Sequence, residues 1–220
     1  VTEDQTVVAV ALALSVVVAA LLILFIVRRG NKIRQSLAVL AQRWGWQNIR
    51  QPWGLGGTVA GIWNGLPVRL EHRQRYKGVP ERLILTIKVQ SQARLIVTRR
   101  FGDHFWQRPF LMFGPPLVTP MGLTDPGRFW IRSDQQMLVE TLLGDSSIDP
   151  LLTQNLISQF DSVNLNVRRL RLQRALDDYQ VKKHFERPMF RMAADLDFIA
   201  RIAQAEWDLA SAIVRRLNLR

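Results

Sequence analysis

The sequence predicts an α+β protein: one N-terminal transmembrane helix, then an antiparallel-sheet domain with packed helices and a long C-terminal helix. Three observations predict it. Val7 to Val27 is an unbroken apolar run, residues 57–100 alternate apolar and polar side chains around an Asn-Gly turn, and the chain beyond Pro188 repeats apolar residues at three-four spacing. The expected division is an anchor over residues 1–29, a cytoplasmic α+β domain over 30–187 with a Pro/aromatic-rich loop at 101–127, and a long amphipathic helix over 188–220.

The apolar run is long enough, at about 31 Å as a helix, to match the hydrocarbon thickness of a bilayer. Only Ser15 interrupts it, and Arg28, Arg29, Lys32 and Arg34 follow at once. Acidic Glu3 and Asp4 precede it, the reverse of a cleavable signal peptide, so the segment is expected to stay as an anchor. Basic residues remain on the cytoplasmic side. The N-terminus is therefore expected outside a bacterial inner membrane and the rest of the chain in the cytoplasm, with Arg28, Arg29, Lys32 and Arg34 on lipid headgroups. The small residues Ala9, Ala11, Ala13, Ser15, Ala19 and Ala20 suit a packed membrane partner and equally a passive anchor.

A break is expected at Gly30-Asn31, followed by a short amphipathic helix whose stripe is Ile33, Leu37, Leu40, Ala41 and Trp44. Packing on the sheet is the commoner fate of such a stripe; lying along the membrane surface is the alternative. Gly57 to Trp63 and Leu66 to Arg73 form a hairpin about Asn64-Gly65, the pair that a type I′ turn requires. "ERLILTIKVQ" and "ARLIVTRR" extend it to a four-stranded meander ending near Arg100, with Leu83, Leu85, Ile87 and Val89 on one face.

The segment from Arg99 to Gly122 breaks the pattern. Pro109, Pro115, Pro116 and Pro120 restrict it, while Phe105, Trp106, Phe110, Met112 and Phe113 supply rigid apolar area for docking a partner or for a lid over the domain's own sheet. Regular structure resumes with a strand at Arg128 to Ile131 and a helix capped by Ser133 or Asp134 and ending at Gly144. A helix starting at Asp149-Pro150 has the stripe Leu151, Leu152, Leu156, Ile157 and Phe160. "VNLNV" and "LRLQ" read as a strand pair, with a continuous helix from Val167 as the alternative. The last helix carries Leu196, Ile199, Ala203, Trp207, Ala210, Val214 and Leu217 on one face, and its Asp195, Asp197, Glu206 and Asp208 beside Arg191 and Arg201 read as a solvated, salt-bridged face.

Chemistry is sparse. The chain has no cysteine, which removes disulfides, thiolate metal sites and cysteine nucleophiles. His72, His104 and His184 form no ligand motif, and Asp103-His104 is too local for an acid-base pair. The glycines Gly54, Gly56 and Gly57 complete no phosphate-binding fingerprint and lead into a strand. With 30 basic residues against 18 acidic ones, a net charge of +12, the chain suits anionic headgroups, nucleic acid or an acidic protein. The clusters at Arg99-Arg100, "RRLRLQR" and Arg215-Arg216 lack any nucleic-acid-binding motif, so nucleic acid and small-molecule substrates are disfavoured.

The succession "LAQRWGW", "VAGIWNGLPVRLE" and "DPGRFWIRSDQQMLVETLLGD" resembles an uncharacterised group of bacterial single-pass, membrane-tethered α+β proteins over residues 33–180. That resemblance implies an antiparallel sheet with helices and transfers no active-site residue. It also implies an accessory subunit of a larger membrane assembly, electron-transfer complexes included. The function expected from all of this is a non-catalytic, membrane-anchored accessory or scaffold subunit, needing no cofactor or metal, whose partners are other subunits and anionic lipid headgroups. A membrane-tethered regulatory or binding module for anionic lipid or nucleic acid is the alternative.

Overall fold

The structure, a computed structural model, describes residues 3–52, 57–74, 80–100, 115–118, 126–143, 147–176 and 196–217. Helix α1 (Glu3–Arg43) leads to the strands β1 (Gln47–Arg50), β2 (Gly57–Trp63), β3 (Leu66–Arg73), β4 (Arg82–Lys88), β5 (Leu95–Arg99) and β6 (Phe129–Ser133). Helices α2 (Gln136–Leu143) and α3 (Ile148–Asn155), strands β7 (Ser162–Asn166) and β8 (Arg169–Ala175) and helix α4 (Leu196–Arg216) follow among the described residues. The architecture is α+β, as the sequence predicts.

Helix α1 is continuous through Gly30 and Asn31, where a break was expected. Glycine inside a helix costs about 1 kcal/mol against alanine, a small penalty beside the burial of a whole turn-after-turn stripe. That stripe is Ile33, Leu37, Leu40 and Ala41, all at the core beneath α1. The preceding apolar part is long and apolar enough to cross a membrane, and none of its most apolar window is buried in the protein. The apolar part and the domain are thus joined by one helix of 41 residues.

The eight described strands form one antiparallel sheet in the order β1-β2-β3-β4-β8-β7-β5-β6. The turn between β2 and β3 has Asn64 at φ 49° and Gly65 at φ 79°, the two positive values a type I′ hairpin needs. The expected four-stranded meander is corrected: β2, β3 and β4 are neighbours, but β8 and β7 lie between β4 and β5. The reason is visible after β4, where the Val89 and Ser91 amides donate to the Arg168 and Val167 carbonyls. Residues 89–94 thereby cross the tip of the β7–β8 hairpin instead of turning back on β4. That hairpin settles the strand-or-helix choice at 163–174; Asn166 Oδ1 accepts from the Arg168 and Arg169 amides across its turn.

Register assigns the faces. Val59, Val68, Leu70, Leu83, Leu85, Ile87, Leu172, Leu170, Val163, Leu165, Val97 and Ile131 point inward and share one core with the buried sides of the four described α-helices. Helix α4 supplies Phe198, Ile199, Ile202, Ala203, Trp207, Ala210, Ile213 and Val214 to that core, matching the predicted stripe. The stripe predicted after Asp149-Pro150 is corrected at one residue. The helix stops at Asn155, and Phe160 beyond it is exposed.

Close approach of α1 to the sheet depends on Gly57. A Cβ there would collide with the branched Cγ2 of Ile33, which is fixed to its helix and has little freedom to swing away. Gly57→Ala is expected to destabilise the protein by about 1–3 kcal/mol through overpacking, measured by urea unfolding in detergent. Restoring space with Ile33→Ala in the same chain should recover part of the loss, whereas two purely additive losses would show that the contact is not the cause.

Candidate functional site

Two groups of buried polar side chains lie at the end of the sheet nearest the apolar part of α1. The first joins helix to sheet. Arg29 stands two residues past Val27, Glu81 precedes β4, and His72 is the inward residue at the end of β3. Arg29 donates to Glu81 Oε1 at 3.1 Å, and His72 Nε2 lies 2.6 Å from the same oxygen. The His72 and Glu81 side chains are 1% and 7% exposed, so this carboxylate meets an imidazole away from water and a guanidinium that stays partly exposed. The Glu81 carbonyl also accepts from the Leu176 amide, drawing in the end of β8. Nearby, Arg34 donates to the Pro52 carbonyl at 3.2 Å and to Asn31 Oδ1.

The second group lies on the same inward row. His72 pairs across to Leu83, and Leu83 to Arg174 on β8, so the two polar residues are two strand spacings, about 10 Å, apart. Arg174 is 1% exposed and donates to Asn155 Oδ1 at 3.1 Å and to the Gln154 carbonyl at 2.5 Å. Asp161 accepts from the amides of Ile157 at 2.8 Å, Ser158 at 2.7 Å and Ala175 at 2.8 Å. It thereby ties the end of α3 to the end of β8. Arg99 adds to the α3 terminus by donating to the Ile157 carbonyl at 3.1 Å. Glu206 on α4 is buried, and neither of its oxygens has a hydrogen-bond partner among the described residues.

Burial pushes the Asp161 carboxyl up to about 6, against the opposing pull of Arg174 and the three amides. Burial raises Glu206 well above the ordinary carboxylate range; Arg174 opposes the shift and Asp161 reinforces it. Both groups favour the proton in the fold. Their contribution to stability is therefore complete at acidic pH and is lost as pH rises, through about 6 for Asp161 and at higher pH for Glu206. Glu206→Gln removes one of the two. Its stability relative to wild type is expected to climb with pH by up to about 1.4 kcal/mol per unit, read from paired melting curves between pH 5 and 9. A difference that stays constant with pH would mean that Glu206 ionises freely in the fold.

These groups were only partly foreseen. Arg28 and Lys32 are exposed on α1, as headgroup contacts would be, whereas Arg29 and Arg34 turn to the domain. Glu206, expected on a solvated face, is corrected to a core position: Ile202, Ala203 and Ala210, one turn away on either side, are buried as well. The docking residues Phe105, Trp106, Phe110, Met112 and Phe113 lie outside the described residues, as do Asp103, His104, His184, Gly54, Gly56, Arg191, Asp195 and the helix start at Pro188. Among the described residues no group of three His, Asp or Glu side chains is placed to hold a metal ion. Two surface hollows, of about 600 Å3 between Arg94 and Arg169 and about 400 Å3 between α1 and α4, contain neither buried group. No protein-family description, curated protein or solved structure matches the chain.

Proposed function

We propose that this chain is a non-catalytic, membrane-anchored accessory subunit that holds a rigid domain against a larger membrane assembly. One observation carries the reading: α1 passes from its apolar part into the domain core without interruption, and Glu81 clamps Arg29 to His72 where the two parts meet. A domain tethered for capture would gain from a flexible linker and a wide reach. A helix fixed to its domain instead presents every surface at one height and angle, which lowers the ordering cost of docking to a neighbour in the same membrane. Exposed Arg28 and Lys32 suit the headgroup level, and the basic run after Val27 favours a cytoplasmic domain at a bacterial inner membrane with the N-terminus outside.

Extraction of native membranes in mild detergent, followed by native electrophoresis, tests this. The chain is expected in a discrete assembly larger than itself. A flexible Gly-Ser insert after Arg28 should leave the chain in the membrane but release it from that assembly. A wild-type chain that runs as a monomer would overturn the reading, and so would an insert variant that assembles as well as wild type.

A further inference from the structure

The sheet's second face points away from the four described helices, and its register collects positive charge. On β3, β4 and β8 the outward residues include Arg69, Arg73, Arg82, Lys88, Arg169 and Arg171. Glu71 is the one carboxylate on these outward positions, and it already bonds Arg73 at 2.9 Å and lies 3.7 Å from Arg69. Register sets Arg73 directly opposite Arg82, and Lys88 directly opposite Arg169. Like charges placed opposite each other on neighbouring strands oppose folding. Arg171 sits among them, and its pKa is lowered first by burial and then by Arg73, Arg169 and Arg82. Beyond β8, Arg94, Arg168 and Arg169 rim the hollow of about 600 Å3 whose wall includes Asn164 and Asn166. The protein thus keeps a crowded basic surface at a cost to its own stability.

We propose that this arginine-lined face of β3, β4 and β8 docks an acidic segment of a neighbouring protein subunit. The inference rests on the accessory-subunit reading and names the chemistry of the partner. Guanidinium groups match carboxylates through paired N–H donors and lose less hydration than ammonium groups do, which suits a surface that must be covered. The bilayer is a poor occupant by position. Ile33 of α1 lies against Gly57, and Trp46, three residues past the end of α1, lies against Gly61, so α1 advances along β2 and the face stands beside the helix axis rather than across it. Headgroups would meet only the end at Arg73 and Arg82, leaving Arg169 some 20 Å farther along β8. Nucleic acid is a poor occupant by composition, because sheet surfaces that bind single strands stack bases on aromatic rings. The outward positions of β3, β4 and β8 hold no aromatic residue, and Trp130 on β6 lies under Arg100, 4.7 Å from the guanidinium carbon.

The full chain in phosphatidylcholine nanodiscs can be titrated with a labelled 20-residue poly-glutamate and, separately, with oligothymidylate of equal charge. Poly-glutamate is expected to bind the more tightly. Arg171→Glu should weaken it about tenfold or more at moderate salt while leaving the melting temperature unchanged or higher, since a like-charge contact is relieved. Arg169→Glu, at a more exposed position, serves as a second variant should the first misfold. Arg43→Glu, which changes the net charge equally at the end of α1, should leave binding within about twofold. Tighter oligothymidylate binding would overturn the proposal in favour of nucleic acid; equal losses with Arg43→Glu and Arg171→Glu would reduce it to diffuse attraction and overturn it too. In native membranes, a wild-type assembly that tolerates both Arg169→Glu and Arg171→Glu sinks this inference alone. Absence of any assembly sinks the accessory-subunit reading and leaves the poly-glutamate result standing on its own.

Discussion

Arg174→Ala is expected to lower stability by about 3–5 kcal/mol, because it removes one partner from a buried charge group and leaves the others without it. The Gln154 carbonyl and Asn155 Oδ1 lose their donors, and the Asp161 carboxyl loses the guanidinium that most opposes its protonation. The truncation also opens a cavity at a site that is 1% exposed. For a chain of this size the melting temperature should fall by about 10 °C or more. Arg174→Lys keeps the charge but cannot reach both acceptors as a fork, so an intermediate loss is expected. Tryptophan fluorescence during urea unfolding is the measurement. A loss under about 1 kcal/mol would show that Arg174 is not what holds α3 to β8.

Trp207→Ala comes next in size, at about 3–5 kcal/mol. Its ring stacks on Trp44 with centroids 5.0 Å apart and an interplanar angle of 8°, and it meets Trp46 at 5.5 Å and the edge of Trp63 at 4.8 Å. Trp44 in turn donates from Nε1 to Gln204 Oε1 at 2.8 Å. Four indoles from α4, β2 and the turn after α1 therefore lock α1 and α4 together on the sheet's inner face. Without Trp207 the C-terminal helix should loosen first, exposing it to limited proteolysis before the sheet unfolds. Trp207→Phe should recover part of the loss by keeping ring contact. Proteolysis that begins elsewhere in Trp207→Ala would show that the cluster does not secure α4.

Periodicity made much of the architecture legible. The apolar run, the Asn64-Gly65 turn and the stripe of α4 each depend on spacing within one segment, and each is present where the residues place it. The strand order was not legible, because the position of β5 depends on residues 89–94 meeting the tip of a hairpin some 75 positions later. The irregular edge strand β1, with Asn48 at φ 50°, leaves no alternation to read. The buried polar groups lay between these extremes. Strict alternation places His72 after Val68 and Leu70, and Arg174 after Leu170 and Leu172, on apolar faces. Three-four spacing does the same for Glu206 between Ala203 and Ala210. The phase marked them as inward, while their charge argued for solvent; phase prevailed because partners existed for Arg174 and His72 that only the fold brings together.

The insertion of β7 and β8 between β4 and β5 also sets the order in which this protein can mature. The β2–β4 meander and the β5–β6 pair can each form from local chain, but until β8 and β7 arrive, β4 and β5 remain open edges. Such edges are templates for pairing with another chain. Closure must wait for residues near Ala175, which follow every other described strand along the chain. Folding should accordingly be slow, governed by non-local pairing, and most exposed to misassembly while β4 and β5 still stand open.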